Sequence, residues 1–451
     1  MRGRKMSKDI KTSTKIALVM PDQSDIQHVI KLRGVARIGV QPNLGIGSIA
    51  TVTSQANWNV KIFDNYLRRM PWWKFGEMIL NYEPTIVAIS MNSLNVFESK
   101  KLLNFLRRKS ENVKFVAGGL FATLYHEDCT EFDHIFCGEG ELKFLEFLEE
   151  GVAKGDTSKF PKVIYAERIE DLDSLPFPDR SLFDPGYLST AENLPGEKIQ
   201  NLFTARGCKF KCRFCHNSST VNFSLKCRSA EKVVEEIRYL KDECNAAGIY
   251  FVEDTFTASP RRVFALEQIL KRPENADLLE LKYLAYTRVS PLSDKVLEAL
   301  ASMNFVSLFV GVESGSDRTL KEINKGYTAE KARRTLKRIR KFGIDYGAGF
   351  MIGFPHENED DIKKTWDFAM DPQHSYTYFQ TYCGLPISEI YYECQELGLV
   401  EEWIGRIFAA KTLHVSRERL RELEESFPRN KYFPDWPEGG YDDRKQKERN
   451  G

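Results

Sequence analysis

The sequence predicts an α/β protein with two parallel sheets. Residues 15–150 read as a doubly wound N-terminal domain, and residues 198–400 as a partial barrel of six β/α units. Two observations carry this. On both sides of residue 150, short apolar runs alternate with longer amphipathic stretches, the pattern of successive βαβ units. Between the two halves, residues 151–197 lose the rhythm, and Pro161, Pro176, Pro178, Pro185 and Pro195 mark a Pro-rich linker. The length, 451 residues, suits about three domains at roughly 150 residues each.

In order along the chain, residues 1–14 are polar and read as a disordered tail. Strands are expected at 15–20, 59–64, 85–90, 113–118 and 134–137. Helices are expected at 44–56, 74–81, 96–109 and 141–149. After the linker, strands are expected at 200–204, 248–252, 282–286, 307–311, 346–352 and 376–381. Helices at 230–243, 260–270, 293–302, 328–342 and 359–370 separate them. Residues 401–451 are charged and read as a short helical C-terminal extension ending in a polar tail.

Composition narrows the function classes. Hydrophobic residues make up 42% and charged residues 29%, the balance of a globular protein with sizeable cores. Lys+Arg 65 against Asp+Glu 64 leaves a formal charge of +1, so no nucleic-acid partner is expected from the charge balance. No apolar run reaches the roughly 18 residues that span a bilayer. The basic N-terminus lacks the apolar stretch of a secretory signal, and a cytoplasmic location is expected.

Six of the nine cysteines (Cys129, Cys137, Cys227, Cys244, Cys383 and Cys394) are scattered and read as small buried hydrophobes. Cys208, Cys212 and Cys215 instead share one loop directly after a predicted strand. Three thiolates at this spacing can converge on one metal centre. A structural zinc site or a fully ligated cluster wants four ligands, for which Cys227 is the distant candidate; His216, adjacent to Cys215, is awkwardly placed. With three thiolates only, a cubane cluster keeps one iron open to a ligand.

The run Cys-x3-Cys-x-Phe-Cys, with Phe214 before the last cysteine, resembles the signature of radical S-adenosylmethionine (SAM) enzymes. The resemblance continues through Tyr250-Phe-Val-Glu-Asp-Thr-Phe256, Arg288, Phe309-Val-Gly-Val-Glu-Ser-Gly-Ser-Asp317 and Gly349-Phe-Met-Ile-Gly-Phe-Pro355, and spans about residues 198–400. It implies a TIM-like barrel, a 4Fe–4S cluster on Cys208, Cys212 and Cys215, and SAM chelated to the open iron. Reductive cleavage of SAM would then give a 5′-deoxyadenosyl radical. By the same resemblance, Phe214, Glu253, Asp254, Arg288, Glu313, Ser314 and Gly353 are expected to bind SAM.

The N-terminal domain carries four small-residue loops at the carboxyl ends of its predicted strands, where such sheets bind ligands. They hold Leu44, Gly45 and Gly47; Ser90, Asn92 and Ser93; Gly118 and Gly119; and Gly138, Glu139 and Gly140. In this order they resemble the Rossmann-like cobalamin-binding domain that precedes many radical SAM barrels, which makes all of them expected cobalamin contacts. One departure stands out. The cobalt-ligating Asp-x-His-x-x-Gly motif is missing: Asp25 and His28 have the wrong spacing, and no Gly follows in register. Either cobalamin binds without a protein histidine on cobalt, or the domain has lost it.

The resemblance implies two cofactors facing one substrate cavity. The expected function is cobalamin-dependent methylation of an unactivated carbon of a small molecule, with an electron donor such as flavodoxin or ferredoxin. Radical cyclisation or rearrangement is the alternative within the same branch. A non-catalytic iron–sulfur or cobalamin carrier is the alternative outside it.

Overall fold

The structure, a computed structural model, describes residues 10–22, 41–187, 197–218 and 224–428. The first domain is a six-stranded, all-parallel sheet. Its strands are β1 (Lys15–Met20), β2 (Asn59–Asp64), β3 (Ile86–Ser90), β4 (Lys114–Gly118), β5 (His134–Cys137) and β6 (Val163–Tyr165), in the order β2-β1-β3-β4-β5-β6. Strand order reverses between β1 and β3, which leaves a crevice at their carboxyl ends. Helices Leu44–Gln55 and Val96–Lys109 pack on opposite faces, each over its own apolar cluster.

The second domain opens with β7 (Ile199–Leu202) and a short antiparallel ribbon, β8 (Ala205–Arg206) on β9 (Lys226–Cys227), which brackets the cysteine loop. It continues through β10 (Gly248–Phe251), β11 (Lys282–Arg288), β12 (Phe305–Glu313), β13 (Asp345–Ile352) and β14 (Tyr376–Thr381). These six long strands are parallel, in the order β14-β13-β12-β11-β10-β7, so the barrel stays open between β7 and β14. Its helices bury one continuous core between themselves and the sheet.

Three expectations need correction. The stretch read as a tail is helical at residues 10–13, where Lys11 pairs with Glu149 at 2.5 Å. The linker is not all connector: Val163–Tyr165 adds the sixth strand, and Ile169, Leu172 and Leu175 pack with Val52 of the first helix. The segment after 400 begins as β-structure. Val400–Ile404 and Ile407–Ala410 form an antiparallel hairpin that also pairs with Cys383–Gly384, before helix Arg417–Ser426. The two-residue Gly405-Arg406 turn, with Gly405 at φ +61°, sets that hairpin. His28 lies outside the described residues.

Candidate active site

Strand-end loops of both domains face one cavity of about 510 Å³. On the first domain's side, Asn43 caps the helix Leu44–Gln55 by accepting from the Ile46 amide at 3.1 Å, which holds Leu44 and Gly45 at the cavity wall. Asn92 and Asn95 exchange side-chain-to-backbone hydrogen bonds, fixing the loop after β3 that presents Ser90 and Asn92. Gly118 and Gly119 follow β4, and Gly138, Glu139 and Gly140 follow β5; all five line the cavity. A Cβ at Gly118 would meet nothing within 4 Å, so the backbone there is open to a ligand.

Two expected contacts are not part of this lining. Gly47 turns away from it: a Cβ there would lie 2.1 Å from the Phe183 ring, so its small size serves helix–linker packing. Ser93 sits in the turn beyond Asn92 and leaves the cavity to its neighbours.

The barrel supplies the opposite wall through Phe203, Ala205, Arg206, Gly207, Glu253 and Asp254, among others. Arg206 joins the domains, placing its guanidinium 3.0 Å from Glu139 and 2.5 Å from Glu141. Sequence reading missed Arg206, Arg228 and Glu236 as cavity residues. Arg206 stands two positions before Cys208, but nothing in the local sequence links it to residues some 65 positions earlier.

The cysteine loop continues from Gly207. Its turn is closed by the Cys215 amide on the Cys212 carbonyl at 3.1 Å. The 320–325 segment braces it: the Arg213 amide donates to Ile323 at 3.1 Å, and Asn324 donates to Lys211 at 2.7 Å. The Arg213 side chain spreads over the Glu322 carbonyl, Glu389 and Glu393, each at 2.9 Å. Phe214 packs on Phe354 with ring centroids 5.7 Å apart.

Behind the loop, Arg288 is buried. It donates to the Cys212 sulfur at 3.8 Å and to the Lys325 carbonyl, and lies 3.8 Å over the Phe210 ring. Lys325 Nζ meets Glu313 at 3.0 Å, with both side chains largely buried. Burial opposes the charge on Lys325, but Glu313, Tyr327 and Cys212 together offset it and hold the ammonium above its usual range. Glu313 adopts φ +72°, a strained value for a non-glycine residue, and Gly311 leaves the room its carboxylate occupies. Ser314 is buried in a knot with Thr365 (2.9 Å) and the Ser316 amide (3.1 Å). Gly353, at φ +90°, donates its amide to Glu357 at 2.7 Å.

Cys208, Cys212 and Cys215 are the three thiols that this one loop carries. Among the described residues, no three His, Cys, Asp or Glu side chains close around a point as a single metal ion requires. Cys227 is exposed on β9. Burial pushes the Cys215 thiol up to about 12.

Residues 202–369 match the family model of the radical SAM superfamily, and residues 31–148 match that of the B12 binding domain. The chain belongs to the radical SAM superfamily and carries a B12-binding domain. This radical SAM enzyme is 29% identical over 384 residues to an uncharacterized methyltransferase of Pyrococcus horikoshii, covering 81% of this chain and 80% of that one. Its fold is similar to that of the radical SAM methyltransferase TsrM of Kitasatospora setae, solved with cobalamin and a 4Fe–4S cluster bound. The TM-score is 0.65 at 16% identity, over 85% of this chain and 78% of the other. It is also similar to OxsB, a cobalamin-dependent SAM radical enzyme, with a TM-score of 0.62 at 16% identity over 90% and 65% of the chains. At these identities the two likenesses are ones of fold. Among the described residues, no helix of this radical SAM enzyme is long and apolar enough to cross a membrane.

Proposed function

We propose that the enzyme is a cobalamin-dependent radical methyltransferase acting on an unactivated carbon of a small molecule. The observation that carries this reading is the shared cavity, which the Gly-rich loops of the B12-binding domain and the residues flanking the cysteine loop line together. When bound, the cluster supplies the electron that cleaves SAM, and cobalamin supplies the methyl group. The protein's part is to hold and orient. Cys208, Cys212 and Cys215 carry the cluster, and Arg288 and Lys325 set two positive charges beside Cys212, one of them balanced by Glu313. Asp254 stands where the cavity meets the loop, placed to contact SAM or substrate. Phe214, Glu253, Ser314 and Gly353 complete the proposed SAM surroundings. Lys209 and Lys211 are exposed on the loop, where an electron donor such as flavodoxin or ferredoxin approaches. Leu44, Gly45, Ser90, Gly118 and Gly138 would hold cobalamin, and the sequence has no Asp-x-His-x-x-Gly motif to offer cobalt a histidine.

Anaerobically reconstituted protein, given dithionite and SAM, should release 5′-deoxyadenosine and S-adenosylhomocysteine. Release of neither, with cluster and cobalamin both bound, would make the protein a carrier. Release of 5′-deoxyadenosine with no methylated product from substrate would favour cyclisation or rearrangement.

A further inference from the structure

The inward face of the barrel carries a row of rings that is not part of the cavity lining described above. Strand pairing brings Tyr286, Phe309, Gly347 and Tyr376 into register across β11, β12, β13 and β14. Phe309 stacks on Tyr376 with centroids 6.0 Å apart and meets Tyr286 edge-on at 5.6 Å. Gly347 makes the row possible: a Cβ there would lie 2.2 Å from the Tyr376 ring, which instead lies against bare backbone. The next row towards the cysteine loop is Arg288, Gly311, Gly349 and Tyr378, again in register. Its two central positions carry no side chain, and Arg288 donates to the Cys212 sulfur. The rings therefore lie one inward step, about 7 Å along a strand, from the residue that meets the cysteine loop.

Side chains do not close this face. The outward residues Ala285, Val310 and Phe379 are buried under the helices, whereas the inward Tyr286, Phe309, Tyr376 and Tyr378 keep part of their surface exposed. Barrel interiors are ordinarily packed, so half-covered rings in one row leave faces on which a further ring can stack. Charge narrows what enters. The ring row has no charged member. Above it, Glu313 is engaged by Lys325 at 3.0 Å, and Arg288 by Cys212 and the Lys325 carbonyl. To one side, Glu424 of helix Arg417–Ser426 accepts from the Thr381 amide at 3.2 Å, at the end of β14. Burial and then Glu424 push the Tyr378 hydroxyl above its usual range, which puts that carboxylate's field on this face. An anionic group inserted here would find no cation in the row and a carboxylate beside it, while a flat uncharged ring would find ring faces.

We infer that the substrate carries a flat, uncharged aromatic ring system, which enters the barrel and stacks on Phe309 between Tyr286 and Tyr376. The inference rests on the reading of this chain as a radical methyltransferase, and it names the substrate class of that reaction. Arg288, which links the two rows to Cys212, sets the inserted ring directly beneath the cysteine loop.

The test is binding of three probes to the full, reconstituted chain, by equilibrium dialysis. They are 2-naphthol, its saturated counterpart 2-decalol, and the anionic 2-naphthoate. Wild type should bind 2-naphthol roughly tenfold tighter than either of the others, the first ratio from stacking and the second from charge. Phe309→Leu should weaken 2-naphthol to the level of 2-decalol. If that variant does not fold, Gly349→Ala, whose Cβ would lie 3.0 Å from the Phe309 ring, displaces the ring instead and should have the same effect. Equal binding of 2-naphthol and 2-decalol by wild type, or no binding of any probe, overturns the inference without need of a variant. A preference that survives in the folded variant overturns the site. 5′-Deoxyadenosine release from SAM, measured on the same preparation, reports separately on the enzyme reading. A ring preference without it would leave a binding site and overturn its assignment to a substrate; release without the preference would overturn the ring class and leave the enzyme reading standing.

Discussion

Arg406 closes a two-pronged ion pair on Asp128, Nε to Oδ2 at 2.7 Å and Nη2 to Oδ1 at 2.9 Å, across 278 residues of chain. Its guanidinium also lies 4.7 Å over the Tyr125 ring, and its carbonyl accepts from Tyr391 at 3.0 Å. The C-terminal hairpin thereby clasps the first domain, while the helix before it, Glu389–Glu396, grips the cysteine loop through Arg213. Hydrogen bonding to Arg406 holds the Asp128 carboxyl below its usual range. Both partners are partly exposed, so a double-mutant cycle on Arg406→Ala and Asp128→Ala should give a coupling of only about 0.5–1 kcal/mol. The clearer effect is faster proteolysis of the hairpin in either single variant.

The cysteines separate from one another in spectroscopy. Ala at position 208, 212 or 215 should abolish the iron–sulfur absorbance of reconstituted protein. Cys227→Ala should retain it, since Cys227 is exposed on the ribbon that flanks the loop. Iron analysis of the four variants decides between three ligands and four; loss of iron in Cys227→Ala would return the closed four-ligand site.

Gly118 and Gly119 are adjacent and should respond oppositely. Gly118→Leu projects into open cavity from extended backbone (φ −152°, ψ −174°), so it should fold with little change in melting temperature yet lose cobalamin binding. Gly119→Ala meets φ +88° and the Met91 carbonyl 2.6 Å away, and should cost about 1–3 kcal/mol of stability. Thermal melts beside cobalamin titrations of both variants check the pair.

Glu357 should make stability fall with rising pH. It is fully buried, and burial pushes its carboxyl up to about 7 despite hydrogen bonds from the Phe354 and Gly353 amides and from Thr319. A carboxyl raised above its unfolded value binds more protons in the folded state. Its contribution is therefore fully present below the unfolded pKa of about 4.3, and is lost as pH rises towards 7. Melting temperature compared between wild type and Glu357→Gln across this window should show a falling difference. A flat difference would mean that the carboxyl is ionised throughout.

The sequence by itself determined the strand and helix alternation, the order of the two sheets, and the cysteine loop. Each is a local pattern: periodicity over a few residues, or three ligands of one centre carried in one turn. It also located the Gly-rich loops, but not which glycine faces the cavity. Gly45 and Gly47 are two positions apart, about 200° around a helix, so when Gly45 lines the cavity Gly47 must pack elsewhere, here against Phe183. The segment after 400 was misread because its charges obscured a two-residue turn. Only the tertiary structure brought Arg206 to Glu139 and Glu141, Arg406 to Asp128, and Tyr286, Phe309 and Tyr376 to one row. Such pairings join residues tens to hundreds of positions apart and leave no spacing in a single sequence. Whether a carboxylate is solvated or paired depends on what the packing of distant elements places against it.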